Sequence, residues 1–421
     1  MESTQRSHRD FRQNIAITLL AVSAVLLFAQ TQLYNLGTGP DLFDGTIPAE
    51  LQLTGEQIPL SAPVRIAVSG PYGRYASTSM NTLQPEFEPL GTLLNEVLGS
   101  ARAFKPCTVQ DFTAALSADL SVYYDFCVPL PLPVLAGLLG SAVTNESISA
   151  RRLIIAPENE NVYLYLWDND VGYFRSSTAV SIRSLQTAAG HYEQGSAFFA
   201  LDHTLPGTEA LDPFSLFPGE LLPEGLPLLS AASLPHSTDD LLTSLNFNPR
   251  TNLRYPESDG TEVIVEGERT LSISPSGRLH YQSGGESVLT IKAFDPQAPS
   301  LQEAVSGVSL LLNGLIDDSH VLFLRSVTQE DASTVLQFDY QWNGIPILFA
   351  DGQPAAEVSL TGSTVSELLF RFRQYAESGQ EAPLLPLRQA IAIAAKNPGA
   401  ELILSYADRG GGSVSAVWLA R

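Results

Sequence analysis

The chain has 421 residues, enough for two or three domains that each have a core of their own. Its 45 acidic and 23 basic residues give a net charge of −22, which excludes nucleic acid as a partner because the chain would be repelled by it. A hydrophobic content of 44% is that of a folded protein and excludes a disordered one.

An apolar stretch near the amino terminus, residues 15–28 (IAITLLAVSAVLLF), determines how the rest of the chain is interpreted. It continues with lower hydrophobicity to about Tyr34, which gives roughly 20 uncharged residues, the length of a membrane-spanning helix. Arginines precede it, and the positive-inside rule keeps such an end in the cytoplasm. The sequence therefore predicts a cytoplasmic tail and transmembrane anchor over residues 1–36, with the remaining chain outside the cytoplasm.

One face of this predicted helix carries Ile17, Ala21, Ala24 and Phe28. The two alanines permit close approach of a partner helix, and contact with lipid is the alternative for this face. A cleaved signal peptide is the competing interpretation of the whole stretch. Retention is favoured because Leu27 is a poor residue for a cleavage site and the apolar run continues beyond it.

After the anchor we predict a stalk over residues 37–62 and an α+β domain over residues 63–204. The stalk is rich in Gly, Pro, Thr and acidic residues and has no apolar period. In the domain, alternating or apolar runs predict strands, and Asp168, Asn169 and Asp170 predict a hairpin turn between two of them. The predicted strands cover residues 64–68, 120–126, 152–156, 162–167, 172–177 and 197–201, and the predicted helices cover 90–98, 109–117 and 182–189.

Cys107 and Cys127 are the two cysteines of the chain. Outside the cytoplasm such a pair predicts a disulfide, with two inert buried thiols as the alternative. Their spacing fits no CxxC or zinc pattern, so neither a redox site nor a metal site is predicted.

A proline-rich connector follows over residues 205–244, where six prolines alternate with Leu and Phe. Prolines at this density predict an irregular strap packed over the neighbouring domains, and a partner-binding segment in extended proline geometry is the alternative.

The second half predicts two α+β repeats, residues 245–342 and 343–421. In each, strands precede one amphipathic helix and two strands follow it, and each copy is expected to pack its helix on a small antiparallel sheet. The helices are predicted over residues 301–315 and 386–395, and the strands over residues 263–266, 271–274, 278–282, 321–327, 334–342, 357–360, 367–375, 401–406 and 413–419.

No catalytic pattern stands out in the chain. There is no GxSxG elbow, phosphate-binding loop or dinucleotide fingerprint, and the histidines do not have metalloprotease spacing. We therefore predict a protein that is not an enzyme, with no catalytic, cofactor-binding or metal-ligating residue and no cofactor.

Several stretches resemble the YycH family of two-component-system regulators. The resemblance rests on residues 245–249 (LNFNP), Tyr255, and residues 259–266, 269–273 and 277–281. The closing part is similar to the carboxyl domains of YycH and YycI, in residues 340–347, 370–375 and 388–396 and in Tyr406 and Trp418.

This resemblance implies a single-pass membrane protein that associates with a YycI-like partner and with a sensor histidine kinase governing cell-wall metabolism. A regulator that acts through its outer domains and its transmembrane helix is the function we expect. An extracytoplasmic binding module for a cell-wall or small ligand is the first alternative, and a cell-wall hydrolase is the second.

Overall fold

The computed structural model describes a mixed α+β protein whose described residues all belong to one compact unit. The anchor, its interface residues Ile17, Ala21, Ala24 and Phe28, and the stalk lie outside the described residues and stay predictions. Within the described residues no helix is long and apolar enough to cross a membrane. The described residues are 65–77, 88–139, 148–168, 171–192, 195–219, 225–233, 238–250, 252–284, 289–316, 321–330 and 333–421.

The first part of the chain forms a seven-stranded antiparallel sheet in the order β2-β1-β4-β5-β6-β7-β3. Its strands are β1 (Arg65–Gly70), β2 (Gly73–Ser77), β3 (Lys105–Pro106), β4 (Ser121–Pro131), β5 (Ser149–Glu158), β6 (Asn161–Asp168) and β7 (Gly172–Ser177). The predicted hairpin between β6 and β7 is confirmed, since Asp168 lies opposite Gly172. This sheet lies within the predicted domain of residues 63–204.

Both faces of this sheet are covered. The helices around it are α1 (Glu88–Ser100), α2 (Val109–Leu116), α3 (Leu132–Leu138) and α4 (Ile182–Ala189). Leu90 of α1 and Leu185 of α4 are buried in the same cluster as Ile66 on one face, whereas Phe112 of α2 is buried with Ala67 on the other. Because alternate residues of a strand point to opposite faces, a sheet covered on both sides has few polar positions in its central strands.

The predicted irregular connector was wrong in part, because residues 205–244 contain regular elements. After β8 (Phe198–Phe199), the chain forms β9 (Leu216–Phe217), β10 (Gly225–Ala232) and helix α5 (Thr238–Ser244). In β10, Pro227 lies at a bulge, and the partner residues in β22 (Ser413–Ala420) begin only at Leu229. Proline has no N–H to donate to a neighbouring strand. It is tolerated at this position because no residue of β22 pairs with Pro227.

The second part forms a thirteen-stranded sheet with the order β11-β12-β13-β14-β19-β18-β16-β17-β21-β22-β10-β20, in which β15 also pairs with β16. Its other strands are β11 (Leu253–Pro256), β12 (Glu262–Glu266), β13 (Arg269–Ile273), β14 (Arg278–Ser283), β15 (Val321–Glu330), β16 (Ser333–Trp342), β17 (Ile345–Phe349), β18 (Ala356–Thr361), β19 (Thr364–Arg371), β20 (Gln374–Pro383) and β21 (Leu402–Asp408). The helices are α6 (Leu301–Asn313) and α7 (Leu387–Ala394).

The predicted repeats share this one sheet. Each has strands, a helix and then two strands, as predicted, but β14 pairs with β19 and β16 pairs with β18 across residue 342. The predicted strand over residues 367–375 is also divided, because β19 ends at Arg371 and β20 leaves to pair with β10. The expectation of two separate small sheets was therefore wrong.

The core continues from one sheet to the other. Leu94 of α1, Leu135 of α3 and Val305 of α6 belong to one buried cluster with residues of both sheets. Helices α3 and α6 are in contact, and strand β15 contacts β4. The two sheets are thus joined by apolar packing, and a second, ionic contact joins them elsewhere.

Candidate functional site: a buried ionic junction

Charged side chains meet where the first sheet faces the end of the chain. Arg65 of β1, Asp125 of β4 and Arg152 of β5 lie side by side, because Asp125 is directly opposite each arginine in the strand register. Glu401, immediately before β21, comes from the other end of the sequence. We call this cluster the ionic junction, and its members are Arg65, Asp125, Arg151, Arg152, Asp212 and Glu401.

Each carboxylate of the junction is bound by arginine. Asp125 accepts from Arg65 at 2.5 Å and from Arg151 Nε at 3.1 Å. Glu401 accepts from Arg151 at 2.5 and 2.6 Å, from Arg152 at 3.2 Å and also from Arg65. Both carboxylates are therefore shared between several guanidinium groups, the arrangement in which charged hydrogen bonds are strongest.

Water is excluded from most of the junction. Asp125 and Arg152 are fully buried and Glu401 is 3% exposed. The guanidinium of Arg152 lies over the rings of Trp167, at 4.7 Å, and Phe214, at 5.2 Å. Its outer side donates to Asp212 Oδ2 at 2.7 Å. A buried charge is tolerated only when it is paired in this way, because the transfer of a single unpaired ion from water into the protein interior costs at least several kcal/mol.

The electrostatics keep both carboxylates ionised. Burial by itself disfavours the charged form of Asp125, but Arg151 and Arg65 outweigh that effect and lower its pKa. The pKa of Glu401 is likewise lowered well below its usual range, since Arg65, Arg151 and Arg152 outweigh its burial. Burial and the charge of Asp125 raise the pKa of Tyr123, whose hydroxyl donates to Asp125 at 3.3 Å.

This arrangement suits mechanical coupling rather than acid–base chemistry. A general acid or base needs a pKa near the working pH, whereas these carboxylates stay ionised and arginine does not lose its proton. The described residues contain no group of His, Cys, Asp and Glu side chains that could hold a metal ion. The junction joins the first sheet, through Arg65, Arg151 and Arg152, to Glu401 at the start of the final hairpin.

Comparison with known proteins identifies one solved structure with a similar fold. No family model and no curated protein matches the chain. Among solved structures, the crystal structure of YycH from Bacillus subtilis matches with a TM-score of 0.55 and 12% identity, over 86% of this chain and 95% of that chain. The chain has a YycH-like fold. At this identity the likeness to YycH supports the fold alone.

The predicted disulfide is not formed. Cys107 is a free thiol that follows β3, and its N–H donates to Tyr173 of β7 at 2.9 Å. Cys127 lies in β4, four strands away in the sheet. Four strand spacings are about 19 Å, far beyond the roughly 7 Å that a disulfide allows between Cα atoms. Burial, and then the nearby charge of Asp111, raises the pKa of Cys107 to about 11, so it is a weak nucleophile.

The histidines within the described residues lie at exposed or half-buried positions. Nε2 of His280 lies 2.8 Å from Glu367 Oε1 on the neighbouring strand, and His191 and His203 are exposed. His236 and His320 lie outside the described residues.

Sequence reasoning missed the ionic junction, although a signal was present. Arg65, Asp125, Arg151–152 and Glu401 each interrupt or adjoin an otherwise apolar strand, as in VRIAV, YYDF, RRLII and ELIL. A charge inside such a strand is seldom buried without a partner. The pattern therefore indicates buried ion pairs, but the partners come from distant strands and no spacing identifies them.

Proposed function

We propose that this protein is a membrane-anchored, extracytoplasmic regulator that modulates a sensor histidine kinase of a two-component system. The observation that carries the proposal is the YycH-like fold, matched over 86% of this chain and 95% of the YycH chain. The stretches that resemble the YycH family in the second half support it from the sequence. The regulator binds its partners and has no chemistry of its own.

The proposed topology gives each part a task. The helix over residues 15–34 anchors the protein and packs beside the helices of the kinase, with Ala21 and Ala24 at the contact. The outer domains bind the outer domains of the kinase and of a YycI-like partner. The ionic junction holds the two sheets in one arrangement, so a partner bound to one part of the outer region is mechanically connected to the other.

Copurification from membranes tests this proposal. The tagged full chain is extracted in mild detergent, and the sensor histidine kinase of cell-wall metabolism is measured in the eluate by immunoblot. We expect the kinase to copurify with the native chain and to fall by about tenfold with Ala21→Leu plus Ala24→Leu, since bulky residues prevent close helix approach.

The matched control is Ala16→Leu plus Ser23→Leu, which adds similar bulk on another face of the predicted helix, roughly 120° around its axis from Ala21 and Ala24. It should leave copurification within about twofold of the native level if that face meets lipid. Absence of the kinase from the native eluate, at a normal level of both proteins, contradicts the proposal.

A further inference from the structure

A buried aspartate lies where one strand of the large sheet changes its neighbour. Along one edge of β16, residues 333–338 pair with β18, whereas residues 340–342 pair with β17. Asp339 is the residue between these two stretches. The chain between β17 and β18, residues 350–355, rejoins the sheet beside Asp339, since β18 begins opposite Phe338. We call these residues the β17–β18 loop.

The side chain of Asp339 is covered although it does not face the core. Phe338 and Tyr340, on either side of it in β16, are buried in the apolar cluster, so Asp339 points to the other face of the sheet. It is nevertheless 1% exposed. Arg325, the extra residue at the bulge of β15, lies against it and also donates to the carbonyl of Gly352 at 3.0 Å. One arginine therefore connects Asp339 with the loop.

Asp339 is paired less tightly than Asp408, another aspartate that is 1% exposed. The contacts of Asp339, from Arg325 at 3.4 Å and from the N–H of Ala355 at 3.3 Å, both reach Oδ1. Asp408 accepts from Arg373 at 2.8 and 2.9 Å. Long contacts replace lost hydration poorly, so burial outweighs Arg325 and raises the pKa of Asp339 to about 6.

The other charged groups around Asp339 have partners of their own. Arg371 of β19 binds Asp351 in the loop at 2.8 Å, and Glu357 of β18 accepts from Gln337 at 2.6 Å. The further charged groups of the packed strands lie in pairs: Arg278 with Asp351, Glu367 with His280, and Asp408 with Arg373. Burial therefore opposes the ionisation of Asp339, and the nearby arginines offset that opposition only in part.

We propose that the β17–β18 loop is a pH-sensitive lid, which is closed over Asp339 while this side chain is protonated and opens when it ionises. Opening gives the carboxylate the water that the closed loop excludes. It also separates Asp351 from Arg371, which bind each other at 2.8 and 3.2 Å in the closed loop, so the surface of the large sheet changes with pH. The lid does not depend on the proposed function.

Proton binding sets the direction of this change. The closed loop holds the proton of Asp339 with a pKa of about 6, whereas a solvated aspartate has a pKa of roughly 4. The closed form is therefore favoured most below about pH 4, and this advantage is lost as the pH rises through about 6. The equilibrium constant for opening should rise by about tenfold between pH 5 and pH 7.5.

Hydrogen–deuterium exchange of the full chain, measured by mass spectrometry, tests the lid. After correction for the intrinsic exchange rate at each pH, the peptide of residues 350–356 should lose about tenfold of its protection between pH 5 and pH 7.5. D339N carries no charge at either pH and should change by less than about twofold. D351N is the matched control, because it removes a carboxylate from the loop itself, and it should keep the tenfold change.

Peptides of β5, a buried strand of the first sheet, should keep their protection at both pH values. The proposal is overturned if the native loop exchanges equally at both, if D339N keeps the change, or if D351N abolishes it, which would assign the effect to Asp351. An equal change in β5 overturns it in favour of unfolding of the whole chain.

Circular dichroism establishes that each variant is folded, and Arg325→Gln replaces D339N if the latter is not. Since this variant removes the cation that most favours ionised Asp339, the loss of protection should move to higher pH. A loss of protection at the same pH as in the native chain overturns the proposal.

Discussion

Glu401 accepts two hydrogen bonds from Arg151, which lies 250 residues earlier in the chain, at 2.5 and 2.6 Å. These bonds join the first sheet to the final hairpin in a place from which water is excluded. Since Arg65 and Arg152 bind the same carboxylate, Glu401 is the counterion of three buried arginines, and the more exposed Arg421 also donates to it at 3.4 Å. The stability of the whole described unit should therefore depend on this residue.

Glu401→Gln should lower the free energy of unfolding by about 3 kcal/mol or more, because it leaves buried arginines without their counterion. Urea unfolding of the full chain measures this. Glu381→Gln removes the same charge from an exposed position on β20 and should cost about 0.5 kcal/mol or less. A loss of stability as small as in this control would mean that the junction does not hold the sheets together.

The cysteines should react as two free thiols. Without reductant, denatured protein should take up two equivalents of iodoacetamide, measured as the mass increase of the intact chain. In the native protein Cys107 should react slowly at neutral pH, since its raised pKa of about 11 leaves little thiolate. Uptake that appears only after reduction would show that a disulfide exists after all.

Asp339→Asn should change how stability depends on pH. Burial, only partly opposed by Arg325, raises the pKa of Asp339 to about 6, above the value of roughly 4 in an unfolded chain. The folded state therefore holds the proton more tightly, and this contribution to stability is complete below about pH 4 and lost as the pH rises through about 6.

The asparagine variant should thus gain about 2 kcal/mol over the native protein at pH 8 and match it near pH 4. Unfolding by urea at both values measures the difference. Asp119→Asn, at an exposed position, is the control and should change the free energy of unfolding by about 0.5 kcal/mol or less. If Asp339→Asn were less stable than the native protein at pH 8, the raised pKa of Asp339 in the folded state would be contradicted.

Gly195→Ala should destabilise the contact between β2 and the segment that follows α4. An added Cβ would lie 2.3 Å from the carbonyl oxygen of Arg74, whose N–H donates to the carbonyl of Gly195 at 3.0 Å. Because neither backbone can yield, we expect a cost of about 1 to 3 kcal/mol in urea unfolding. Gly70→Ala is the control, since its Cβ would have no atom within 4 Å. Equal effects would contradict this explanation.

Local signals predicted much of the fold. The strands predicted over residues 271–274 and 278–282 correspond to β13 and β14, and the turn between them contains Gly277 with a positive φ of +81°. Helix α6 lies within the amphipathic helix predicted over residues 301–315, and Ala304, Val305, Val308 and Leu312 on its apolar face are buried. These features depend on residues close together in the sequence, so pattern alone was sufficient.

Pairing between distant strands could not be predicted in the same way. Nothing in β14 indicates that β19, about ninety residues later, is its neighbour. The disulfide failed for the same reason, since the separation of Cys107 and Cys127 in space follows from strand order and not from the sequence between them. The ionic junction unites charges from β1, β4, β5 and the start of β21, and its members are recognisable one by one but not as a set.

The central claim is that this protein regulates a sensor histidine kinase, and the rate of kinase autophosphorylation tests it most directly. The kinase of cell-wall metabolism is reconstituted in lipid vesicles alone, with the native full chain, or with its A21L/A24L variant, and phosphate incorporation is followed. We expect the native chain to change the rate by about threefold or more and the variant to restore the rate of the kinase alone. An unchanged rate with the native chain, correctly inserted and at equal amounts, would contradict the proposed function.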